Sequence, residues 1–257
     1  MSLIETKTGR KYFRKPESMM LVPYVYDDSD EVNDYVFGSD VYDISAVIGD
    51  SIALEQSDGD VEEKFNEFVK SPLVRNVTAG SYNFTAQCLD LQDKVLRALF
   101  GAYTASGTNG AVNGMAAIPD DYQLQYAMIR IRFKDTNLSD IVLPKVQMNS
   151  KLLLQQMKSR GSQGNVSGTA LPRMVAVKDK NSVLPMVLQF GSSAVGEHVF
   201  APSTPVLFIP RGYSPMILHH YDEDGDRYVF STVNFSTGSV AHNIVVNIDD
   251  GSYETSL

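Results

Sequence analysis

The clearest pattern in the chain is the alternation over residues 80–88, where Tyr82, Phe84, Ala86 and Cys88 fall on one face of an extended segment and Ser81, Asn83, Thr85 and Gln87 on the other. A two-residue period of this kind predicts a half-buried strand, with Cys88 as a small buried hydrophobe. The same period recurs at residues 127–134. Ala127, Ile129, Ile131 and Phe133 share one side, and Met128, Arg130, Arg132 and Lys134 share the other, so this strand is expected to turn a basic face to solvent or to another subunit. Between residues 42 and 55, Ile44, Ala46 and Ile48 alternate up to Gly49 and Asp50 and resume at Ile52 and Leu54, which predicts a tight hairpin. The period then changes. Leu91, Val95, Leu96 and Leu99 follow helical spacing, with Asp90 placed to cap and Gly101 to terminate, which predicts a helix over 90–100 lying on a sheet.

Residues 102–119 are rich in small and polar side chains without a period and predict a long mobile loop. Strands are expected at 140–148 and 151–157, although Leu152 to Leu154 fit the start of a short helix equally well. A turn-rich link at 161–168 should lead into a strand at 169–177, and a break is expected at 178–182. Beyond it, short strand candidates at 183–190, 198–200, 205–210, 216–221, 227–233 and 241–248 are bounded by Gly, Pro, Asp or Asn. The expected fold is mainly β: an antiparallel β-sandwich with one flanking α-helix over residues 1–180, then a small C-terminal β-sandwich over 181–257.

Composition narrows this reading. The 257-residue chain is 43% hydrophobic and 21% charged, the proportions of a folded chain. No run approaches the roughly 18 apolar residues that span a bilayer. The first fifteen residues are basic without the apolar stretch of a secretory signal, so the protein is expected to be cytoplasmic when made and to engage no membrane. Cys88 is the sole cysteine, which excludes an intrachain disulfide. The net charge of -9 conceals an asymmetry: from Asp27 to Glu67 there are fourteen acids and one base, Lys64. The first twenty residues instead carry Lys7, Arg10, Lys11, Arg14 and Lys15 against Glu5 and Glu17. Clustered carboxylates either keep a face solvated or let it meet a polyanion without sticking.

No motif assigns a reaction. Residues 107–114 are glycine-rich but lack the GK[ST] ending of a phosphate loop, and 191–196 miss the GxSxG spacing of a nucleophile elbow. The four histidines, His198, His219, His220 and His242, form no metal-binding spacing. On a regular strand His219 and His220 point to opposite faces, which makes a shared metal awkward and leaves them as surface or half-buried residues. Asp222-Glu-Asp-Gly-Asp226 departs from a calcium loop and reads as a hairpin turn. Arg130, Arg132 and Lys134 are too few for specific nucleic-acid recognition. No catalytic residue, metal ligand or cofactor is expected, and the chain reads as a structural protein rather than an enzyme.

Taken in order, the acidic segment with Asp58-Gly-Asp60, then Ser71-Pro-Leu73, Val77-Thr-Ala-Gly80, the alternating strand at 81–88 and the helical run at 90–100 resemble the central unit of the major tail tube proteins of long-tailed bacteriophages. That tube fold is shared with type VI secretion tube proteins. Ile141-Val-Leu-Pro-Lys-Val-Gln147 and Gly164-Asn-Val-Ser-Gly-Thr-Ala-Leu-Pro172 are similar to the family's second sheet, and the resemblance spans about residues 40–177. It implies a virion tail component made in the host cytoplasm. Copies would assemble into hexameric rings that stack into a tube around the tape-measure protein and later the DNA, which passes without sticking, and a tail terminator or baseplate ring would close the ends. Residues 1–20 and 102–119 would serve as the arm and loop between rings, and 181–257 as a decoration domain. The pattern departs from the family at residues 61–70, which the family would make a strand. Val61, Phe65, Phe68 and Val69 fit helical spacing better, with Ser57 or Asp58 as cap.

The acidic segment and the resemblance together make Glu55, Asp58, Asp60, Glu62, Glu63 and Glu67 candidates to line the lumen, because each Lys or Arg contact to phosphate would slow the passage of DNA. Two rival readings are a secreted or surface carbohydrate-binding or adhesin-like β-sandwich protein and a cupin-like metalloenzyme. The first is weakened by the absence of Trp, and the second by the lack of a histidine triad.

Overall fold

The computed structural model describes residues 16–29, 32–38, 40–44, 51–66, 69–78, 80–88, 98–100, 103–104, 116–117, 124–133, 139–149, 151–153, 163–177, 180–190, 214–222, 227–235, 239–247 and 253–256. They are mainly β, and every pairing is antiparallel. The first half holds β1 (Pro16–Asp27), β2 (Asp34–Phe37), β3 (Tyr42–Asp43), β4 (Ala53–Gln56), β5 (Asp60–Asn66), β6 (Val69–Thr78), β7 (Tyr82–Cys88), β8 (Tyr103–Thr104), β9 (Ala116–Ala117) and β10 (Tyr126–Phe133). There follow β11 (Ser139–Met148), β12 (Lys151–Leu153), β13 (Gln163–Leu171), β14 (Arg173–Val177), β15 (Lys180–Leu184), β16 (Val187–Phe190), β17 (Ile217–Asp222), β18 (Arg227–Asn234), β19 (Ser239–Asn247) and β20 (Tyr253–Ser256).

Ten strands form the larger sheet, in the order β2-β1-β10-β11-β13-β7-β4, with β3 on β1, β12 on β13 and β16 on β11. Six form a second sheet, β15-β14-β17-β18-β19-β20. The chain crosses from the first sheet to the second at Pro172 and returns between β15 and β16 at Pro185. Proline has no N–H to give to a ladder, so both positions suit a strand ending and a change of sheet. Position 180/181 thus lies inside the β14–β15 hairpin, where Val177 pairs with Lys180.

Both faces of β10 are buried, which explains its run of apolar residues. Ala127, Ile129, Ile131 and Phe133 join one core with Met19, Leu21, Phe84, Leu143, Val166 and Leu99. Met128, on the other face, joins a second core with Val22, Tyr24, Phe37 and Val142 of the first sheet and Val175, Ile217, Val233 and Phe235 of the second. That second core binds the sheets face to face. Each large side chain fully withdrawn from water contributes on the order of 2 kcal/mol.

The strand at residues 81–88 has the predicted register. Phe84 and Ala86 are buried, while Asn83, Thr85 and Gln87 are exposed. Of the helical run at 90–100, residues 98–100 are helical and buried, and the remainder lies outside the described residues.

Several expectations are corrected. Of the hairpin expected at 42–55, Tyr42 pairs with Leu21 of β1 and Ala53 with Thr85 of β7, and residues 45–50, which hold its turn, lie outside the described residues. Residues 60–66 are strand rather than helix, paired with β6 from Asp60↔Thr78 to Asn66↔Val69. Here a β-branched partner strand carrying Val69, Val74, Val77 and Thr78 outweighs helical spacing. The turn-rich link at 161–168 is instead ladder from Gln163 onward. The stretch at 102–119 contains a short ladder, Tyr103↔Ala117 and Thr104↔Ala116. The single strand at 183–190 is two, on different sheets. The face of Arg130 is not solvated: its side chain is 2% exposed and lies between the sheets.

Glycine is required at position 168. A Cβ there would stand 2.4 Å from the carbonyl oxygen of Gln147, closer than any real contact, so the approach of β13 to β11 depends on its absence.

Candidate functional site

The candidate lumen acids are not gathered into one described cluster. Glu55 lies on β4, one residue before its end, and is exposed, and Asp58 is exposed in the following link. Asp60, Glu62 and Glu63 lie on β5, opposite Thr78, Asn76 and Arg75 of β6. Glu67 lies outside the described residues. The β5–β6 ribbon forms a two-stranded sheet of its own.

The densest array of polar and aromatic side chains stands where β2 meets β17, and sequence reasoning missed most of it. Arg173, the first residue after the Pro172 crossing, donates from Nη2 to Asp34 Oδ2 at 3.0 Å and to the His219 carbonyl at 2.8 Å. Its Nε donates to the Leu218 carbonyl at 3.0 Å. One guanidinium thus ties a strand of the first sheet to a strand of the second, with its fork directed at three acceptors. Tyr24 Oη donates to the Pro144 carbonyl at 2.9 Å, and burial pushes its phenol pKa up. The Lys145 ammonium lies 4.5 Å from the centre of the Tyr126 ring, 5.5 Å from that of Tyr35 and 5.7 Å from that of Tyr24, a cation held by three aromatic faces. Burial lowers its pKa, followed by the repulsion of Arg173.

This placement follows from an irregularity in β11. The ladder pairs Ala127 with Val146 but Ile129 with Leu143, so Pro144 and Lys145 together oppose Met128. Such a bulge tolerates proline and re-aims side chains.

His219 and His220 differ from the expectation in the same way. The register of β17 on β18 shifts between Leu218 and His220. The bulge cancels the alternation that would have separated the rings, and their Nδ1 atoms lie 2.9 Å apart. Burial, then the neighbouring His220 and Arg173, lower the His219 pKa to about 4, and burial lowers that of His220.

No model of a known protein family matches the chain, and no curated protein matches it. Chemistry at the site therefore rests on its own geometry. Among the described residues, no group of three or more His, Cys, Asp or Glu is arranged to hold a metal ion. The array around Arg173 ties strands together, and its cations already have partners in Asp34 and the tyrosine rings.

On the outer face of β7 and β13, away from that array, an open groove of about 600 Å³ is lined by Asn83, Thr85, Gln147, Asn149, Ser167 and Thr169. All six are uncharged. Thr169 Oγ1 donates to Asn83 Oδ1 at 3.1 Å, which leaves the Asn83 amide hydrogens directed elsewhere.

Proposed function

We propose that the chain is a structural virion protein, a subunit of a phage tail tube that assembles into stacked hexameric rings and forms a conduit for DNA. In this reading it is not an enzyme. The helical run at 90–100 flanks the first sheet, and the strands of the second sheet, β14, β15 and β17 to β20, decorate it. The observation that best supports the reading is the position of the acids. Glu55 and Asp58 are exposed at the end of the larger sheet's strand order, and Asp60, Glu62 and Glu63 follow on a ribbon that, among the described residues, pairs with neither main sheet. Acids carried this way outnumber the cations of the same strands between Glu55 and Lys64, where Lys64 is the one base, and so can face a phosphate backbone with little to retain it.

Electron microscopy of concentrated protein tests the proposal. Rings or tubes with a central hole are expected, with these acids on the inner wall. An assembly that carries all of them on its outer surface removes the lumen role.

A second reading, carbohydrate binding, is favoured by one observation, the uncharged groove beside Asn83 and Thr169. Glycan-array screening distinguishes it, since a tail tube has no need of a saturable sugar site.

A further inference from the structure

We infer that His219 and His220 form a two-nitrogen chelate for a divalent transition ion with tetragonal preference, copper(II) or nickel(II), bound through both Nδ1 atoms. The inference is independent of the tail-tube reading.

The spacing carries it. Two neutral imidazoles meet at Nδ1 with 2.9 Å between the nitrogens and their rings inclined at 70°. Without an ion, one Nδ1–H donates to the other nitrogen. A metal–nitrogen bond of about 2.0–2.1 Å to each atom gives a nitrogen–metal–nitrogen angle of roughly 90° at this separation. That is the angle between neighbouring positions of a square or octahedral ion, and well below the tetrahedral angle that zinc prefers. On binding, the bridging proton moves to that ring's Nε2, so both imidazoles stay neutral and both Nδ1 lone pairs face the ion.

The surroundings permit a positive charge. Asp27 on β1 and Asp34 on β2 both act electrostatically on the pair, while Asp222 on β17 acts on His220 and is itself paired with Arg227 of β18 at 2.9 Å. The opposing cation, Arg173 of β14, is paired with Asp34 at 3.0 Å. The Phe37 ring of β2, centred 6.3 Å from that of His219, limits the freedom of one side. No third described residue completes the ligand set, so water would fill the remaining positions.

Copper(II) titration of the full chain near neutral pH, followed by electron paramagnetic resonance, tests the site. One tightly held equivalent is expected, with hyperfine coupling to two imidazole nitrogens in the unmodified protein. His220→Asn should weaken binding by a factor on the order of 10 to 100 or more, since loss of a ligand costs at least as much as loss of a group that orients one. His198→Asn with His242→Asn should leave binding unchanged. A first equivalent with coupling to fewer than two nitrogens, or affinity unaltered in H220N, overturns the inference. The nitrogen count is read on the unmodified chain, so the test does not depend on a variant folding.

Discussion

Arg130 Nε lies 3.0 Å from Asp140 Oδ2, and each side chain is only 2% exposed. The pair sits between the two sheets, with the Arg130 guanidinium 4.3 Å from the centre of the Phe235 ring. Among the described residues Asp140 Oδ1 accepts no hydrogen bond, so within them the carboxylate is only partly compensated for its loss of water. Removing one partner leaves an uncompensated buried charge, whereas removing both does not. Asp140→Ala should therefore lower stability by about 3–5 kcal/mol, and Arg130→Met with Asp140→Leu should recover most of that loss. Urea unfolding of the three proteins checks this, and equal losses in the single and double variants would refute it.

Acid should loosen the seam at β2 and β17. The His219 pKa falls from 6.5 to about 4 on folding. Between those values the unfolded chain binds more protons, so the stability contributed by a neutral His219 is complete above about pH 6.5 and is lost as pH falls toward 4. The loss is on the order of 3 kcal/mol. Asp27, whose carboxylate the Ser29 backbone amide and hydroxyl hold below its usual range, adds a further loss at lower pH with the same sign. Unfolding free energies at pH 7 and pH 4.5 should differ less for His219→Asn than for the unmodified protein.

Tyr24 should behave as a buried phenol. Its hydroxyl reaches the Pro144 carbonyl across 120 positions of sequence. Tyr24→Phe should cost about 1 kcal/mol. In alkaline titration followed by phenolate absorbance, the variant should lack a group that ionises only at extreme pH in the parent. An identical curve for the two proteins would contradict the burial argument.

Gly168→Ala should destabilise through backbone displacement. The added carbon would stand 2.4 Å from Gln147 O and 2.6 Å from a Val146 methyl, so β13 must move away from β11. A cost of about 1–3 kcal/mol is expected, read as a lowered melting temperature.

Glu55→Lys with Asp58→Lys places two cations at exposed positions. The double variant should be retained on double-stranded DNA at low salt, with a log–log salt slope of about -2, while the parent passes through. Retention of the parent would count against a non-sticking surface.

The alternating strand around Phe84 was legible because one wet and one dry face write a two-residue period directly into the sequence. β10 was legible as a strand, but the burial of Arg130 was not. An arginine that meets a carboxylate ten residues away between two sheets leaves the same sequence mark as one in solvent. The histidine pair was misread for a different reason. Alternation holds only in a regular strand, and the bulge after Leu218 has no glycine or proline to announce it. Pro172 and Pro185, by contrast, stand at two of the three crossings between the main sheets, and treating them as strand terminators divides 183–190 correctly. Arg173 lacked any signal, since its role depends on Asp34, 139 residues earlier.

The double crossing at Pro172 and Pro185 has a consequence for synthesis. When the ribosome has released residues up to β16, every strand of the larger sheet exists, yet Val22, Met128 and Val142 have no Ile217, Val233 or Phe235 to cover them. β1 must also wait for β10, more than a hundred residues later, before it can pair. The nascent chain therefore carries a greasy, half-finished sheet through much of its translation. A chain truncated after β16 should aggregate or recruit a chaperone, whereas the 257-residue chain hides that surface with the strands that follow β16.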